Sequence, residues 1–157
     1  HERTNISGVP RGKRRLKALK RIAADTSDGN GSYMLHNAAF RKKLAEAEID
    51  LQALEYSELR TLAALSVGKA PGPESSILKI VGTELAQRMD ELFVELAGYH
   101  CLPFVPEQFE EGFEGESMGP GNSAASALTY FNNRKLSIFG GSNEVQRNII
   151  SKAVLGL

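Results

Sequence analysis

The chain has 157 residues, no formal net charge and 41% hydrophobic residues, values typical of one soluble domain with its own core. The balance of 19 basic and 19 acidic residues argues against a general nucleic-acid binder, and no apolar run reaches the roughly 18 residues that a membrane span needs. The single cysteine, Cys101, excludes an intrachain disulfide and a cysteine-based metal site, so no metal is expected.

The first residues read as the middle of a longer polypeptide. The chain opens on His1 rather than Met, and "HERTNISG" is unlike a natural beginning. We therefore expect residues 1–157 to form a single domain that is a fragment of a longer protein.

A basic amphipathic helix is predicted from Pro10 to Ala24, with Leu16 and Leu19 on its apolar side. Its basic residues have two interpretations, a phosphate-binding surface or a solvated helix face that acidic residues 107–116 balance. The second is favoured because no aromatic residues interleave with the basic ones. The basic residues are Arg11, Lys13, Arg14, Arg15, Lys17, Lys20 and Arg21.

A polar break from Asp25 to Ser32 is expected to be a mobile loop, and a long helix follows from about His36 to Leu65. Its glutamates raise the possibility of a di-metal bundle site, which needs Glu-x-x-His motifs that the sequence lacks. A structural role for Glu48, Glu55 and Glu58 is therefore favoured. The predicted apolar stripe is Phe40, Leu44, Ala47, Leu51, Leu54, Leu62 and Leu65.

A third helix is predicted from Pro73 to Ala97, and an irregular connection then runs from Gly98 to Asn122. Connections of that length are functional or disordered in most proteins. In this connection we expect Phe109 and Phe113 to pack against the bundle and Cys101 to be partly buried. The apolar stripe predicted for the third helix is Ile77, Val81, Leu85, Met89, Leu92 and Leu96.

A shorter fourth helix is predicted from Asn122 or Ser123 to Arg134, and the last helix follows the pair Gly140–Gly141. Ser142 or Asn143 is expected to be its N-cap, and with Ser142 as cap Glu144 falls in the first turn. A glycine turn before a helix is also a possible phosphate site. Long amphipathic helices joined by polar breaks predict an all-α, up-down bundle of four long helices plus a short C-terminal helix.

The tail, "IFGGSNEVQRNIISKAVLGL", closely resembles the C-terminal signature of acyl-CoA dehydrogenases, and "HERTNISGV" is similar to the family segment that follows the middle β-domain. The resemblance implies the C-terminal α-helical domain of a FAD-dependent enzyme of fatty acid or lipid metabolism. Such an enzyme oxidises an acyl-CoA thioester between its α and β carbons. A cytoplasmic location is expected, or the mitochondrial matrix if the source is eukaryotic.

The resemblance also implies site residues. Many family members carry the catalytic base where this chain has Gly140, and other branches carry it in the Glu-Arg pair. The base then maps to Glu2, whose alternative interpretation is an exposed charge at a helix start. Arg3, Gly140 and Gly141 are implied on the substrate side. The residues implied for FAD binding are Ser142, Asn143, Glu144 and Gln146.

Two departures from the family pattern leave a second hypothesis open. Asn37 stands where the family has a pyrophosphate-binding arginine, and "AGYHC" replaces a glycine-rich stretch, two elements that normally hold FAD across a subunit interface. The chain is thus either part of a catalytic dehydrogenase or a non-catalytic assembly subunit derived from one. Implied partners are acyl-CoA, another acyl-CoA dehydrogenase chain in a homo- or hetero-oligomer, and an electron-transfer flavoprotein or similar acceptor. No nucleic acid or membrane partner is expected.

Overall fold

The computed structural model describes residues 7–70, 72–116, 118–120 and 123–156. In these ranges the chain forms five α-helices and no strand, which confirms the all-α prediction. The fourth helix has only 11 residues and the fifth 13, so the bundle has three long and two short helices. The helices are α1 (Val9–Asp25), α2 (Ala38–Ser66), α3 (Glu74–Ala97), α4 (Ser123–Asn133) and α5 (Asn143–Leu155).

Helix α3 is the central element, because α1, α2, α4 and α5 all pack against it. Its predicted apolar stripe is correct at the C-terminal end and wrong at the start, where Ile77 is 45% exposed. Lys79, Thr83 and Asp90 are buried instead. A helix that neighbours surround buries polar side chains together with apolar ones. The main apolar core residues are Leu16, Leu19, Phe40, Leu44, Leu51, Leu78, Leu85, Met89 and Leu92.

The apolar stripe of α2 is buried only in its first half. Phe40 and Leu54 lie in the core, but Leu62 is 44% exposed. Helix α1 has 17 residues and α2 has 29, so α1 cannot cover α2 along its length. The C-terminal half of α2 therefore presents apolar side chains at the surface.

Three of the basic residues of α1, Lys13, Arg15 and Lys20, form ion pairs with acidic residues of α2 and α3. The expectation that acidic residues 107–116 balance the basic face stays a prediction. Lys13 Nζ lies 2.5 Å from Glu55 Oε1, and Lys20 Nζ lies 2.6 Å from Glu48 Oε1. The Glu58 carboxylate accepts a hydrogen bond from the Ser7 hydroxyl. These contacts agree with a structural role for the glutamates, and the described residues contain no group of three or more potential metal ligands.

Two irregular segments connect the helices. In the 25–32 break, Asp28 Oδ1 accepts hydrogen bonds from the backbone N–H groups of Asn30 (2.8 Å) and Ser32 (3.0 Å). In the long connection, Phe109 is 48% and Phe113 40% exposed, so the expectation that both pack against the bundle is wrong. Phe109 stacks on Phe104 instead, with ring centroids 6.4 Å apart. The predicted mobility of the 25–32 break stays a prediction.

Cys101 is 4% exposed and its Sγ donates to Gly98 O at 3.1 Å, as expected of a structural cysteine. The N-cap alternative Asn122 lies outside the described residues, whereas Ser123 begins α4 and is buried. None of the helices in the described ranges is long and apolar enough to cross a membrane.

Candidate functional site

The predicted site centres on the glycine loop, residues 138–142, between a 3-10 turn at Arg134–Ser137 and α5. Gly140 and Gly141 have φ angles of 65° and 86°, a region that side chains other than glycine rarely adopt. A Cβ on Gly141 would lie 2.7 Å from Gln146 Nε2, whereas a Cβ on Gly140 would meet no atom of the described residues within 4 Å. Gly141 therefore packs closely against the Gln146 side chain, and Gly140 has free space around it among the described residues.

Ser142 is the N-cap of α5, which confirms one of the two predicted caps. Its hydroxyl oxygen accepts a hydrogen bond from Val145 N–H. Glu144 lies in the first turn. Hydrogen bonds from its own backbone N–H and from Ser142, together with the charges of Arg147 and Lys79, hold the pKa of the Glu144 carboxyl below 4.5. The protein's own groups thus occupy donors of this helix start, which favours capping over phosphate binding.

A buried lysine lies behind the glycine loop. Lys79 is 2% exposed, and its Nζ donates to Asn143 Oδ1 at 2.7 Å and to Ser137 O at 3.2 Å. Burial lowers the pKa of Lys79 below 10.5, and the negative charges of Glu144 and Glu84 oppose that shift. Lys79 was absent from the sequence-based site. The available signal was a line of polar residues at helical spacing on α3, namely Ser75, Lys79 and Thr83.

The two predicted residues with buried side chains contact the protein interior. Asn143 is 4% exposed, and besides Lys79 it accepts from Thr83 Oγ1 at 3.4 Å. Gln146 is 3% exposed and its Nε2 donates to Gly140 O at 3.2 Å. These side chains shape the glycine loop from within. Gly140, Gly141 and Glu144 are exposed, and Ser142 is half-buried.

A cavity of about 490 Å³, the α1 pocket, lies where the start of α1 meets α2, α3 and the 134–137 turn. Because Gly82 has no side chain, the backbone at Ser7 passes close to α3; a Cβ on Gly82 would lie 2.5 Å from Ser7 O. Thr83 lines the pocket and also contacts Asn143, so the pocket adjoins the interior side of the glycine loop. Its polar lining includes Ser7, Arg11, Arg14, Arg15 and Glu58, and its apolar lining includes Leu51, Leu85, Met89 and Leu136.

The Glu-Arg pair, Glu2 and Arg3, lies outside the described residues. Ser7 and Gly8, which follow it in the sequence, line the α1 pocket. Leu136, which precedes the glycine loop, lines the same pocket. Described residues on the C-terminal side of the Glu-Arg pair and on the N-terminal side of the glycine loop therefore line one cavity.

The two departures from the family pattern have local structural roles. Asn37 is the N-cap of α2, and its Oδ1 accepts from the N–H groups of Ala39 and Phe40, both at 3.1 Å. Gly98 to Cys101 form a 3-10 turn in which Gly98 has a φ of 54° and Tyr99 is 87% exposed. The capping of α2 is thus a sufficient structural role for the Asn37 side chain.

Comparisons with known proteins agree with this fold. Residues 1–155 match the family described as "Acyl-CoA dehydrogenase, C-terminal domain". The chain is 28% identical over 117 residues to the acyl-CoA dehydrogenase IpdE1 of Mycobacterium tuberculosis, covering 74% of this chain and 26% of that protein. The IpdE1 protein of Mycolicibacterium smegmatis is 27% identical over 117 residues, covering 74% and 25%. The chain thus spans about a quarter of these relatives' length.

Solved structures give the same result. A chain of the ChsE4-ChsE5 complex from M. tuberculosis superposes with a TM-score of 0.70 and 25% identity, covering 93% of this chain and 35% of that one. The electron transferring flavoprotein of Acidaminococcus fermentans superposes with a TM-score of 0.72 over 98% of this chain and 36% of that one. At 15% identity, the second likeness concerns the fold alone.

Proposed function

Because this chain belongs to the acyl-CoA dehydrogenase family as a C-terminal domain, we propose that it forms one wall of a flavoenzyme active site. The enzyme would oxidise an acyl-CoA thioester between the α and β carbons. Residues 1–157 would be a single domain of that longer enzyme, contributing to the substrate pocket, to FAD binding and to oligomerisation.

The observation that carries the proposal is the position of the α1 pocket. Its volume of about 490 Å³ falls in the range of roughly 300–1,000 Å³ that is usual for small-molecule sites. It is lined on one side by residues that follow Glu2 and Arg3 and on another by Leu136, just before the glycine loop. A substrate in this cavity would contact described residues that are close in sequence to both family positions for a base.

The proposed chemistry needs one proton acceptor from this chain. The Glu2 carboxylate removes the α-proton of the thioester, while the β-hydride leaves with its electron pair, so that a carbon–carbon double bond forms. The chemistry that FAD would supply, when bound, is the acceptance of that hydride. A positioned carboxylate in a water-poor pocket is a stronger base than one in water. Arg3, Gly140 and Gly141 would lie along the substrate, where the absence of a Cβ at Gly140 leaves room.

The exposed side of the glycine loop fits a flat apolar ring better than a phosphate. Phe139 is 54% and Ile138 66% exposed beside the backbone of Gly140, and such a surface is suited to stacking. The ionised Glu144 carboxylate in the first turn of α5 would repel a pyrophosphate. We therefore assign Ser142, Asn143, Glu144 and Gln146 the role of shaping the surface that meets the flavin ring of FAD.

The proposed partners are acyl-CoA, a second acyl-CoA dehydrogenase chain and an electron-transfer flavoprotein or similar acceptor. One relative of similar fold was solved as a complex named for two proteins, ChsE4 and ChsE5. A paired arrangement would supply FAD contacts that Asn37 and the Gly98–Cys101 turn do not offer here. An isologous or mixed pair is consistent with the many apolar side chains that the described surface exposes.

A second candidate function is a non-catalytic assembly subunit. The observation that favours it is that Asn37 is used as a helix cap at the position where a pyrophosphate-binding arginine is expected. In that case the domain would fold and associate with a catalytic chain while its own flavin surface stays unused.

Expression of the full-length protein, alone and with a homologous dehydrogenase chain, separates the two functions. We expect visible flavin absorbance at one FAD per site, and bleaching of that absorbance when an acyl-CoA is added under anaerobic conditions. The Glu2→Gln variant is expected to retain flavin and lose the bleaching. A wild-type protein that binds its partner but no FAD in either preparation would establish the assembly function instead.

A further inference from the structure

We infer that Lys79 is a positioning residue that holds the glycine loop in the shape needed for the flavin and substrate. This inference rests on the proposed function for the role of the loop, but not for the contacts themselves. Lys79 Nζ donates to Ser137 O at 3.2 Å and to Asn143 Oδ1 at 2.7 Å. These acceptors flank residues 138–142 on both sides, so one ammonium group connects the two ends of the loop to α3.

The buried ammonium group of Lys79 is bound by neutral acceptors, a backbone carbonyl and a side-chain amide oxygen. In the described part of the chain, no carboxylate lies within 4.0 Å of its Nζ, although the other ion pairs of the bundle include the well-buried Arg15–Asp90 pair. An ammonium group buried among neutral acceptors costs free energy that a methionine of similar shape would not. The fold accepts this cost, and the charged group makes two strong hydrogen bonds, to Ser137 O and to Asn143 Oδ1, at the two ends of the glycine loop.

The glycine pair itself has few other contacts that define its conformation. The N–H groups of Ile138 and Phe139 donate to Lys135 O at 2.9 and 3.1 Å, and Ser142 O accepts from Gln146 N–H at 3.0 Å, so backbone bonds fix the two ends of the loop. At the glycines, Gln146 Nε2 donates to Gly140 O at 3.2 Å, and no atom of the described residues lies within 4 Å of a Cβ placed on Gly140. Two consecutive glycines have many accessible conformations, so a chosen conformation must be maintained by surrounding groups. Lys79 at the two ends and Gln146 in the middle supply that constraint together with these backbone hydrogen bonds.

The matched control is Asp90 on the same helix. Asp90 is 1% exposed and Lys79 is 2% exposed, so each is a buried charge on α3. Asp90 pairs with Arg15 on α1 and accepts from Asn133 Nδ2 at 2.9 Å. In the part of the chain that the structure describes, Asp90 has no hydrogen bond or ion pair with residues 137–146. Asp90→Asn therefore removes a buried charge from α3 without altering the donors to the loop.

The experiment compares Lys79→Met and Asp90→Asn in the full-length protein, with and without FAD. Hydrogen exchange of the amides in residues 138–146 is measured first, because it reports loop order independently of activity. We expect Lys79→Met to raise the exchange rate there by about tenfold or more, since each hydrogen bond to a charged group contributes roughly that factor. Asp90→Asn should leave this segment at the wild-type rate and raise exchange in α1 and α4.

Flavin binding is measured second, by titrating apoprotein with FAD and recording the visible spectrum. Lys79→Met is expected to bind FAD about tenfold more weakly and to shift the flavin absorption band, whereas Asp90→Asn should keep the wild-type band. If Lys79→Met fails to fold, Asn143→Ala tests the same contact from the other side, and we expect the same local rise in exchange.

The outcomes separate this inference from the proposed function. A wild-type protein that binds FAD, with exchange and spectrum unchanged in Lys79→Met, would overturn the role of Lys79 and leave the proposed function standing. A wild-type protein that binds no FAD, with fast loop exchange in Lys79→Met alone, would overturn the flavin assignment and retain Lys79 as the residue that orders the loop. Equal effects of Lys79→Met and Asp90→Asn on the loop would refute the inference.

Discussion

Replacement of Gly141 by alanine tests the geometry of the glycine loop most directly. Alanine at the Gly141 φ of 86° is strained by about 1–2 kcal/mol. Its Cβ would also lie 2.7 Å from Gln146 Nε2, so the flexible amide must move and lose its bond to Gly140 O. That hydrogen bond is worth about 0.5–1.5 kcal/mol, and the expected total loss is about 1.5–3.5 kcal/mol.

Gly140→Ala is the matched control for this variant. Its φ of 65° imposes similar strain, but no atom of the described ranges lies within 4 Å of the added Cβ, so only about 1–2 kcal/mol is expected. Urea denaturation of the two full-length variants, followed by circular dichroism, measures the difference. In a Gln146→Ala background the two glycine variants should cost the same. Equal losses in the wild-type background, or a difference that persists without Gln146, would refute the proposed contact.

The remaining predictions concern chemistry, protonation and assembly. Glu2→Gln should keep FAD and slow α-proton exchange of an acyl-CoA by about 10²–10⁴-fold. Adding Gly140→Glu to that variant should restore part of the exchange rate. Wild-type turnover in Glu2→Gln would place the base elsewhere. Because the pKa of Lys79 is lowered, the unfolded state binds more protons just below pH 10.5, so the free energy of unfolding should rise with pH there in wild type and less so in Lys79→Met. Because the pKa of Glu144 is lowered, its contribution to stability is complete above pH 4.5 and lost as the pH falls further, and acid titration of Glu144→Gln should lack that loss. The isolated domain should self-associate through exposed apolar side chains, and light scattering that shows monomers at all concentrations would contradict this.

Local sequence patterns were sufficient for the helices and their starts. Phe40 and Leu44 recur at helical spacing, and α2 forms where that spacing predicts a helix. Ser142 is an N-cap because its side chain reaches an N–H group three residues ahead, a relation that nearby residues determine. The glycine pair and the family signature lie in one continuous segment, and for that reason the family was recognisable before any packing was known.

Only the tertiary structure decided which side chains are buried and what they contact. Lys79 and Asn143 are 64 residues apart, and neither reads as a core residue by itself. The same holds for Asp90, whose partner Arg15 lies 75 residues away on α1. Periodicity describes one helix at a time, whereas burial of a polar group depends on neighbours that the fold brings from elsewhere. The sequence alone therefore determined the helices and the family, and the packing of α5 against α3 decided that Asn143 and Gln146 face inward, so that Gly140 and Phe139 are left at the surface.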